Sequence, residues 1–530
     1  MVAATYSTDL TDVTLGTTTT GWSALGGGSS GLNLETDYFI EGSSCISKNG
    51  FTNDIKGMIF NLGSARTFAD GEAVFIWVKQ NNRNLMNATN VGGTQVLVGN
   101  NSNAFKQFFV DGSDSDGSDL AGWRTYAVDP RETQSQNTGS PNGTYSWFGC
   151  QWNIGGSGSL KGAPNGIDAI RTGGTLTIQG GDLANGYANF DTASGQDQTN
   201  AWGILVKSSG TFLFHGRIAL GAATAVDFRD SNKSLTVLDD PFVPAAFNEI
   251  SLDSGSAIWT NIQITHLGTQ SPTTLDFSSG TMTASLCRFD GCGTTTASSV
   301  DSFSNCTFAD SGQVIANGAD FTGSTVSGYT GTGGALLWNV NADTDGKLDG
   351  MTFSKGTTNQ YAITIGTNTP SGITLRNIDF TGYSGTSNNA NSHIRVEQTS
   401  GSFTINLVGC TTDSTISVDS AGASITLVLD PVTTLITVID AVSKAALQNV
   451  RVLVEADTGG PLAVGTDIIS GVTDVNGQIS DTRALASNQP IVGKARLSST
   501  PGSLYKQGDI AGTIDSTSGF TTTVQLIPDE

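Results

Sequence analysis

Carboxylates are the first residues in this sequence that could do chemistry. Asp239-Asp240, Asp290, Asp310, Asp320, Asp349 and Asp379 recur through the middle of the chain. Two such groups on one outer face of an elongated β-structure could cut a glycosidic bond, one protonating the leaving oxygen and the other acting as base or nucleophile. Most of them, however, fall beside or just after a Phe expected to point inward, where a solvated strand position or a turn-capping Asp is the ordinary role. Spacing singles out no pair, so no catalytic residue is assigned. His215, His266 and His393 are scattered one to each distant segment, and their order implies no Ser-His-Asp or Cys-His arrangement. No Gly-rich phosphate loop ends in Lys-Ser or Lys-Thr, which excludes nucleotide chemistry of that type. No cofactor is implied.

Two acidic stretches offer oxygen ligands of the kind Ca²⁺ takes. One places Asp111, Asp114 and Asp116 at alternating positions; the other, Asn341-Ala342-Asp343-Thr344-Asp345, resembles the start of an EF-hand-type loop. Counting from Asn341, the twelfth position is Thr352, so the bidentate Glu of such a loop is missing and a solvated Asp-Gly turn is the competing reading. Cys45, Cys150, Cys287, Cys292, Cys306 and Cys410 are too dispersed for a disulfide framework and lack the paired spacing and following His of a zinc site. They read as free, buried thiols. Trp77, Trp123, Tyr126 and Trp147 crowd the first part of the chain. Exposed, they would stack on sugars; the alternative is a role in a sandwich core.

The elements that would hold these residues are strands. Gly accounts for 67 of 530 residues, and short apolar runs alternate with Ser, Thr, Asn and Asp, leaving little room for helices. Ala73-Val74-Phe75-Ile76-Trp77-Val78, Thr94 to Val98, Phe108 to Val110 and Trp123 to Val128 are aromatic and β-branched, as expected of a sandwich or jelly roll. From Gly166 the texture changes, beginning with Gly166 to Arg171 and Gly174 to Ile178. Pairs of an apolar residue and a Phe two apart then recur at Phe277, Phe289, Phe308, Phe321, Phe353 and Phe380. Each pair shares one strand face. A strand-turn unit repeated without helices marks a solenoid whose rungs bury against each other, with the Phe side chains as an internal ladder. The gaps of 12, 19, 13, 32 and 27 residues are irregular, and a tandem of antiparallel sandwiches would also give short strands. Asn261, Asn305 and Asn377, at inward or turn positions where stacked copies could pair, favour the solenoid.

Beyond Asp430 come longer amphipathic strands, Leu435 to Asp440, Val450 to Glu455 and Thr523 to Ile527, with a tight hairpin turn expected at Asp474-Val475-Asn476-Gly477. The expected fold is all-β: an N-terminal jelly-roll or concanavalin-like sandwich over 1–159, a central right-handed parallel β-helix over 160–430 and a C-terminal Ig-like sandwich over 431–530. The excess of 47 Asp and Glu over 25 Lys and Arg, a net charge of −22, opposes a nucleic-acid partner. No apolar stretch is long enough to span a bilayer, and the polar start at Met1 to Gly16 is not that of a secretory signal peptide.

The residues Thr437 to Asp440, Asn449 to Val454 and Thr473 to Gly477 resemble the Ig-like or carboxypeptidase-regulatory-like β-sandwich that tailed-phage virion proteins often carry. The layout of aromatic-rich sandwich, β-helix and terminal sandwich is similar to that of phage fibres, tailspikes and capsid-decorating proteins. This resemblance implies a non-enzymatic virion component, assembled in the host cytoplasm, with partners among other virion proteins, further copies of itself as a homotrimer, and a bacterial surface glycan. The alternative it implies is a tailspike glycosidase or lyase acting on bacterial polysaccharide.

Overall fold

The protein is described from a computed structural model covering residues 5–26, 31–40, 42–48, 55–79, 93–111, 123–153, 165–179, 181–182, 205–208, 211–220, 226–228, 234–237, 242–244, 247–267, 272–485, 487–497, 504–516 and 518–529. Every regular element among these residues is a strand. The chain is all-β, as its short β-branched runs and frequent turn residues dictate.

The first strands form two antiparallel sheets face to face. One runs in the order Trp123–Val128, Ala73–Lys79, Asn165–Gly173, Cys45–Lys48, Leu32–Glu35; the other contains Ala104–Asp111, Gly93–Asn101, Tyr145–Asn153 and Ile55–Arg66. Val74, Ile76 and Val78 meet Val96, Val98, Phe148 and Trp152 between them. The opposite side of the first sheet is also covered. Trp77 and Trp123 pack with Ile40 and Ala169, while Ala73, Phe75 and Ala127 join the core of the parallel stack that follows. A strand buried on both faces reads as a continuous apolar run rather than an alternating one, which is why Ala73 to Val78 has no polar position. The strand Asn165–Gly173, expected in the solenoid, instead lies in the middle of this sheet, paired with Ala73–Lys79 and Cys45–Lys48.

From Thr175 the chain winds into three parallel sheets. The longest holds ten parallel strands from Thr175–Gln179 to Val418–Ser420, closed at its start by the antiparallel Thr5–Thr8. A second runs from Thr211–Phe214 to Thr411–Thr412 behind the antiparallel Leu205–Ser208. The third runs from Gly181–Asp182 to Ser302–Ser304 and is followed by a parallel set from Gly372–Arg376 to Ser424–Leu429.

Register in the second sheet aligns Ile264, Phe289, Phe308, Val326, Phe353, Phe380 and Thr412 in one inward column. Successive rungs are therefore 25, 19, 18, 27, 27 and 32 residues long. Phe289 stacks on Phe308 with ring centroids 4.8 Å apart, and Phe353 on Phe380 at 5.8 Å. Phe321 belongs to a different column, stacked on Phe303 at 4.9 Å, and Phe277 packs between Trp259 and Phe303. The irregular Phe spacing thus has two causes: it mixes columns, and the rungs carry loops of different length.

The corner before the second sheet is a column of backbone rather than of side-chain pairing. Asn261, Leu286, Asn305 and Asn377 have φ of 57°, 56°, 52° and 53°, and Gly323, Gly350 and Gly409 have φ of 70°, 71° and 62°. Each amide donates to the next rung: Asn261 to the Ser285 carbonyl, Asn305 to that of Thr322, Asn377 to that of Val408. Asn tolerates the left-handed region and Gly prefers it. The three Asn side chains are exposed, so they are turn residues and not an inward ladder.

The last strands form a β-sandwich with its own core of Ile436, Val438, Val452, Val454, Ile491 and Leu526. Val432–Asp440 lies between Gln478–Arg483 and Phe520–Leu526 in one sheet; the other runs Asp467–Val472, Arg451–Ala456, Gln489–Arg496, Gly508–Ile514. The Asp474-Gly477 turn is present, with the Asp474 carboxylate accepting from the amides of Asn476 and Gln478. It links the two sheets rather than closing a hairpin, because Asp467–Val472 and Gln478–Arg483 lie in different sheets.

Candidate functional site

On the outer face of the ten-strand sheet, the last rungs gather a polar cluster. In strand Ile394–Val396 the inward Ile394 and Val396 anchor the rung, so Arg395 points out; in Val418–Ser420 the buried Val418 leaves Asp419 pointing out beside it, in direct register. Arg395 Nη1 donates to Asp419 Oδ2 at 2.6 Å and Nε to Glu397 Oε1 at 3.0 Å. Tyr361, two rungs earlier, reaches across and its hydroxyl donates to Asp419 Oδ2 at 2.5 Å. Partial burial, with the Asp419 carboxylate holding the proton, pushes the Tyr361 hydroxyl up to about 12. The guanidinium stays charged because its bonds to Glu397 and Asp419 outweigh the pull of burial. This face offers fixed charge and hydrogen bonds to a polar ligand. It does not offer a free proton donor opposite a free base, since one arginine engages both carboxylates.

The opposite end of the same sheet repeats the chemistry. Arg217 bonds Glu249 at 2.9 Å, Asp253 at 2.6 Å and the Ser251 hydroxyl at 2.8 Å. Such partly exposed pairs tie adjacent rungs together, each contributing ~0.2–1 kcal/mol.

The carboxylates considered from the sequence are dispersed. Asp290 pairs with Arg288; Asp310 occupies a left-handed corner at φ 47°; Asp320 caps the Thr322 amide and hydroxyl. Asp349 accepts from the Gly346 amide and Asp379 from the Thr411 hydroxyl. Asp290 and Asp379 share a sheet but stand four rungs apart, about 19 Å at ~4.8 Å per rung, too far for a glycosidase pair. Asp239-Asp240 lies outside the described residues. Burial raises Asp301, yet its oxygens accept from the amides of Met282 and Ser298 at 2% exposure, which makes it a corner cap.

The histidines are interior. His393 Nδ1 accepts from the Ser417 amide at 3.2 Å, so its proton sits on Nε2, facing Thr412 Oγ1 at 2.8 Å. The Ser417 hydroxyl is spent on the Ser384 carbonyl, so this is no Ser-His dyad. Burial pulls the imidazole down to about 4. His215 meets Thr125 at 3.2 Å and the edge of Phe75; His266 meets Thr273 at 3.2 Å.

In the second Ca²⁺ candidate, Asp343 accepts from the amide and hydroxyl of Thr374 and Asp345 is paired with Arg376. These two carboxylates fasten the loop containing Asn341 to the next rung. Asp111 closes the strand Ala104–Asp111; Asp114 and Asp116 lie outside the described residues. Among the described residues no three His, Cys, Asp or Glu side chains gather to hold a metal ion. All six cysteines are free. Cys287 and Cys306 occupy equivalent inward positions on adjacent rungs, and burial pushes the Cys292 thiol up to about 12.

Of the aromatic candidates, Trp77, Trp123 and Tyr126 are 1%, 1% and 4% exposed, so their rings face the interior and not a sugar. Trp147 is half-buried against Ile59, Leu97 and Phe105. Sequence reasoning missed Tyr361, Arg395, Glu397 and Asp419. Their one signal is the polar residue alternating with Ile394, Val396 and Val418, and rung length decides which of many such residues become neighbours.

No family model and no characterised protein sequence matches the chain.

Proposed function

We propose that this chain is a non-enzymatic structural component of a tailed-phage virion, a capsid-decorating or head-fibre protein or a tail fibre. Its parallel stack is read as a right-handed β-helix, since parallel crossovers take that hand almost without exception. The flanking units are read as a jelly-roll or concanavalin-like sandwich and an Ig-like sandwich. The observation that carries the proposal is the unbroken run of ten parallel strands, roughly 43 Å of continuously hydrogen-bonded backbone at ~4.8 Å per step. An apolar core runs its length, and the sheet containing Phe75 covers its first rungs. Such a body is a stiff spacer. In this reading the chain is assembled in the host cytoplasm, its partners are other virion proteins and two further copies of itself, and its exposed length stabilises the particle or meets a bacterial surface glycan.

The enzymatic alternative, a tailspike glycosidase or lyase, would have to work at an outer-face cluster such as Tyr361, Arg395, Glu397 and Asp419, where the arginine engages both carboxylates. Incubation with host capsular or lipopolysaccharide separates the two. The structural reading expects no new reducing or unsaturated ends; turnover abolished by Asp419→Asn would establish the enzyme instead. Copy number per purified particle then distinguishes capsid decoration, at hundreds of copies, from a tail appendage at about a dozen, and its absence from particles would refute the virion reading.

A further inference from the structure

At one end of the first sandwich the interior turns from apolar to cationic within a single row. In one sheet Ile46 and Ile167 face the core opposite each other, and two residues further along their strands Lys48 and Asn165 stand opposite in the same way. In the other sheet Met58, Cys150 and Val96 face the core in a row, and two residues along come Lys56, Trp152 and Thr94. Side chains two apart on a strand share a face, so all five point between the sheets. Lys48 and Lys56 are 1% and 4% exposed, and Asn165, Trp152 and Thr94 are fully buried.

Lys48 reaches across the gap. Its Nζ donates to the Leu25 carbonyl at 3.1 Å, and Leu25 lies opposite Gly57, next to Lys56, so the two ammonium groups meet at the same strand pair. Burial first, and then the Lys56 ammonium, pull Lys48 below its ordinary value. Among the described residues no carboxylate answers it. Glu35 is opposite Cys45, on the other face of that sheet, where Asp168 accepts from the Ile40 amide. Asp111, in the row of Lys56, stands three strands away, about 14 Å at ~4.8 Å per strand. A buried ammonium with one neutral acceptor and a like charge for a neighbour is costly. The indole N–H of Trp152, the amide of Asn165 and the hydroxyl of Thr94 add neutral donors around it.

We propose that this end of the sandwich binds a small free oxyanion, phosphate or sulfate, between Lys48 and Lys56, with Asn165, Trp152 and Thr94 donating to its remaining oxygens. A tetrahedral oxyanion uses several converging donors at once, and charge-assisted bonds from lysine are the strong ones among them. Its negative charge offsets the repulsion between the two ammonium groups and ties the two sheets together at this end. The near-complete burial of the row suits a bare ion and excludes one carried on a sugar. The site is independent of the function proposed above.

The test is equilibrium dialysis and thermal unfolding of the full-length chain in chloride buffer at constant ionic strength, with inorganic phosphate, sulfate or glucose 6-phosphate added. The wild type is expected to retain a single phosphate per chain, and its melting temperature to rise by about 5–10 °C at a hundredfold excess over Kd. Lys48→Met and Lys56→Gln should each lose the bound ion and the shift, while Lys494→Gln, on the exposed face of the last sandwich, keeps both. General salting-out by these anions would raise wild type and variants alike. That result, or dialysis that retains no phosphate, overturns the site. Retention of glucose 6-phosphate as tightly as phosphate overturns the free ion and transfers the site to phosphorylated sugars. Dialysis of the wild type needs no variant, so a substitution that unfolds the sandwich leaves the test intact.

Discussion

Replacing Leu286 with Asn should stabilise the parallel stack, although it removes a hydrophobic residue. Leu286 sits in the corner column at φ 56° with Asn261 and Asn305 at the equivalent positions of the adjoining rungs. A side chain with a Cβ in the left-handed region costs ~1–2 kcal/mol, a cost that Asn partly escapes by bonding locally. The side chain is 61% exposed, so the burial at risk is about two-fifths of a full Leu, ~0.8 kcal/mol. The balance favours Leu286→Asn by ~0.5 kcal/mol, a rise of about 1–2 °C in melting temperature for a body of this size. The mirror substitution Asn305→Leu, at φ 52°, should lower stability by ~0.5–1 kcal/mol. Urea unfolding followed through the buried Trp259 and Trp338, with calorimetry in parallel, reads both changes. Opposite signs for the two variants are required; a loss of stability in Leu286→Asn, or indifference to Asn305→Leu, would refute the account of this corner.

Three further outcomes follow. Phe308, fully buried between Phe289 and Phe303, should cost ~3–5 kcal/mol when cut to Ala and expose neighbouring rungs to proteolysis before either sandwich. His393 is held neutral down to about pH 4 against an ordinary 6.5. The unfolded chain therefore gains a proton that the fold refuses, so stability falls from pH 6.5 to 4, and His393→Gln should remove that slope from a denaturation series. Asp440 is drawn down to about 2 by the Ser443 amide and then the Tyr505 hydroxyl, 2.8 Å away. Its contribution is complete above pH 3.8 and lost as the pH falls toward 2, and Tyr505→Phe should raise the carboxyl midpoint seen by NMR.

The strand content, the change of texture near Asp430 and the inward Phe positions were legible in the sequence because each depends on residues at most a few positions apart. Cys287-Arg288-Phe289 and Cys306-Thr307-Phe308 declare a strand face locally, and so do the alternating apolar positions of Val432–Asp440. What pairs with what was not legible. Asn165–Gly173 has the composition of a rung but joins the first sandwich, because Ala73–Lys79 and Cys45–Lys48 leave a strand's width between them. Phe289 and Phe321 look alike in sequence yet belong to different columns, because the bridge from Ser302 to Asp320 puts Phe321 on the side of the rung that carries Phe303. The carboxylates that drew attention as chemistry became turn caps and cross-rung ties. Arg395 and Asp419, 24 residues apart and unremarked in sequence, became neighbours through register alone. Register follows from closing every rung against the one before it, and only the assembled stack imposes that condition.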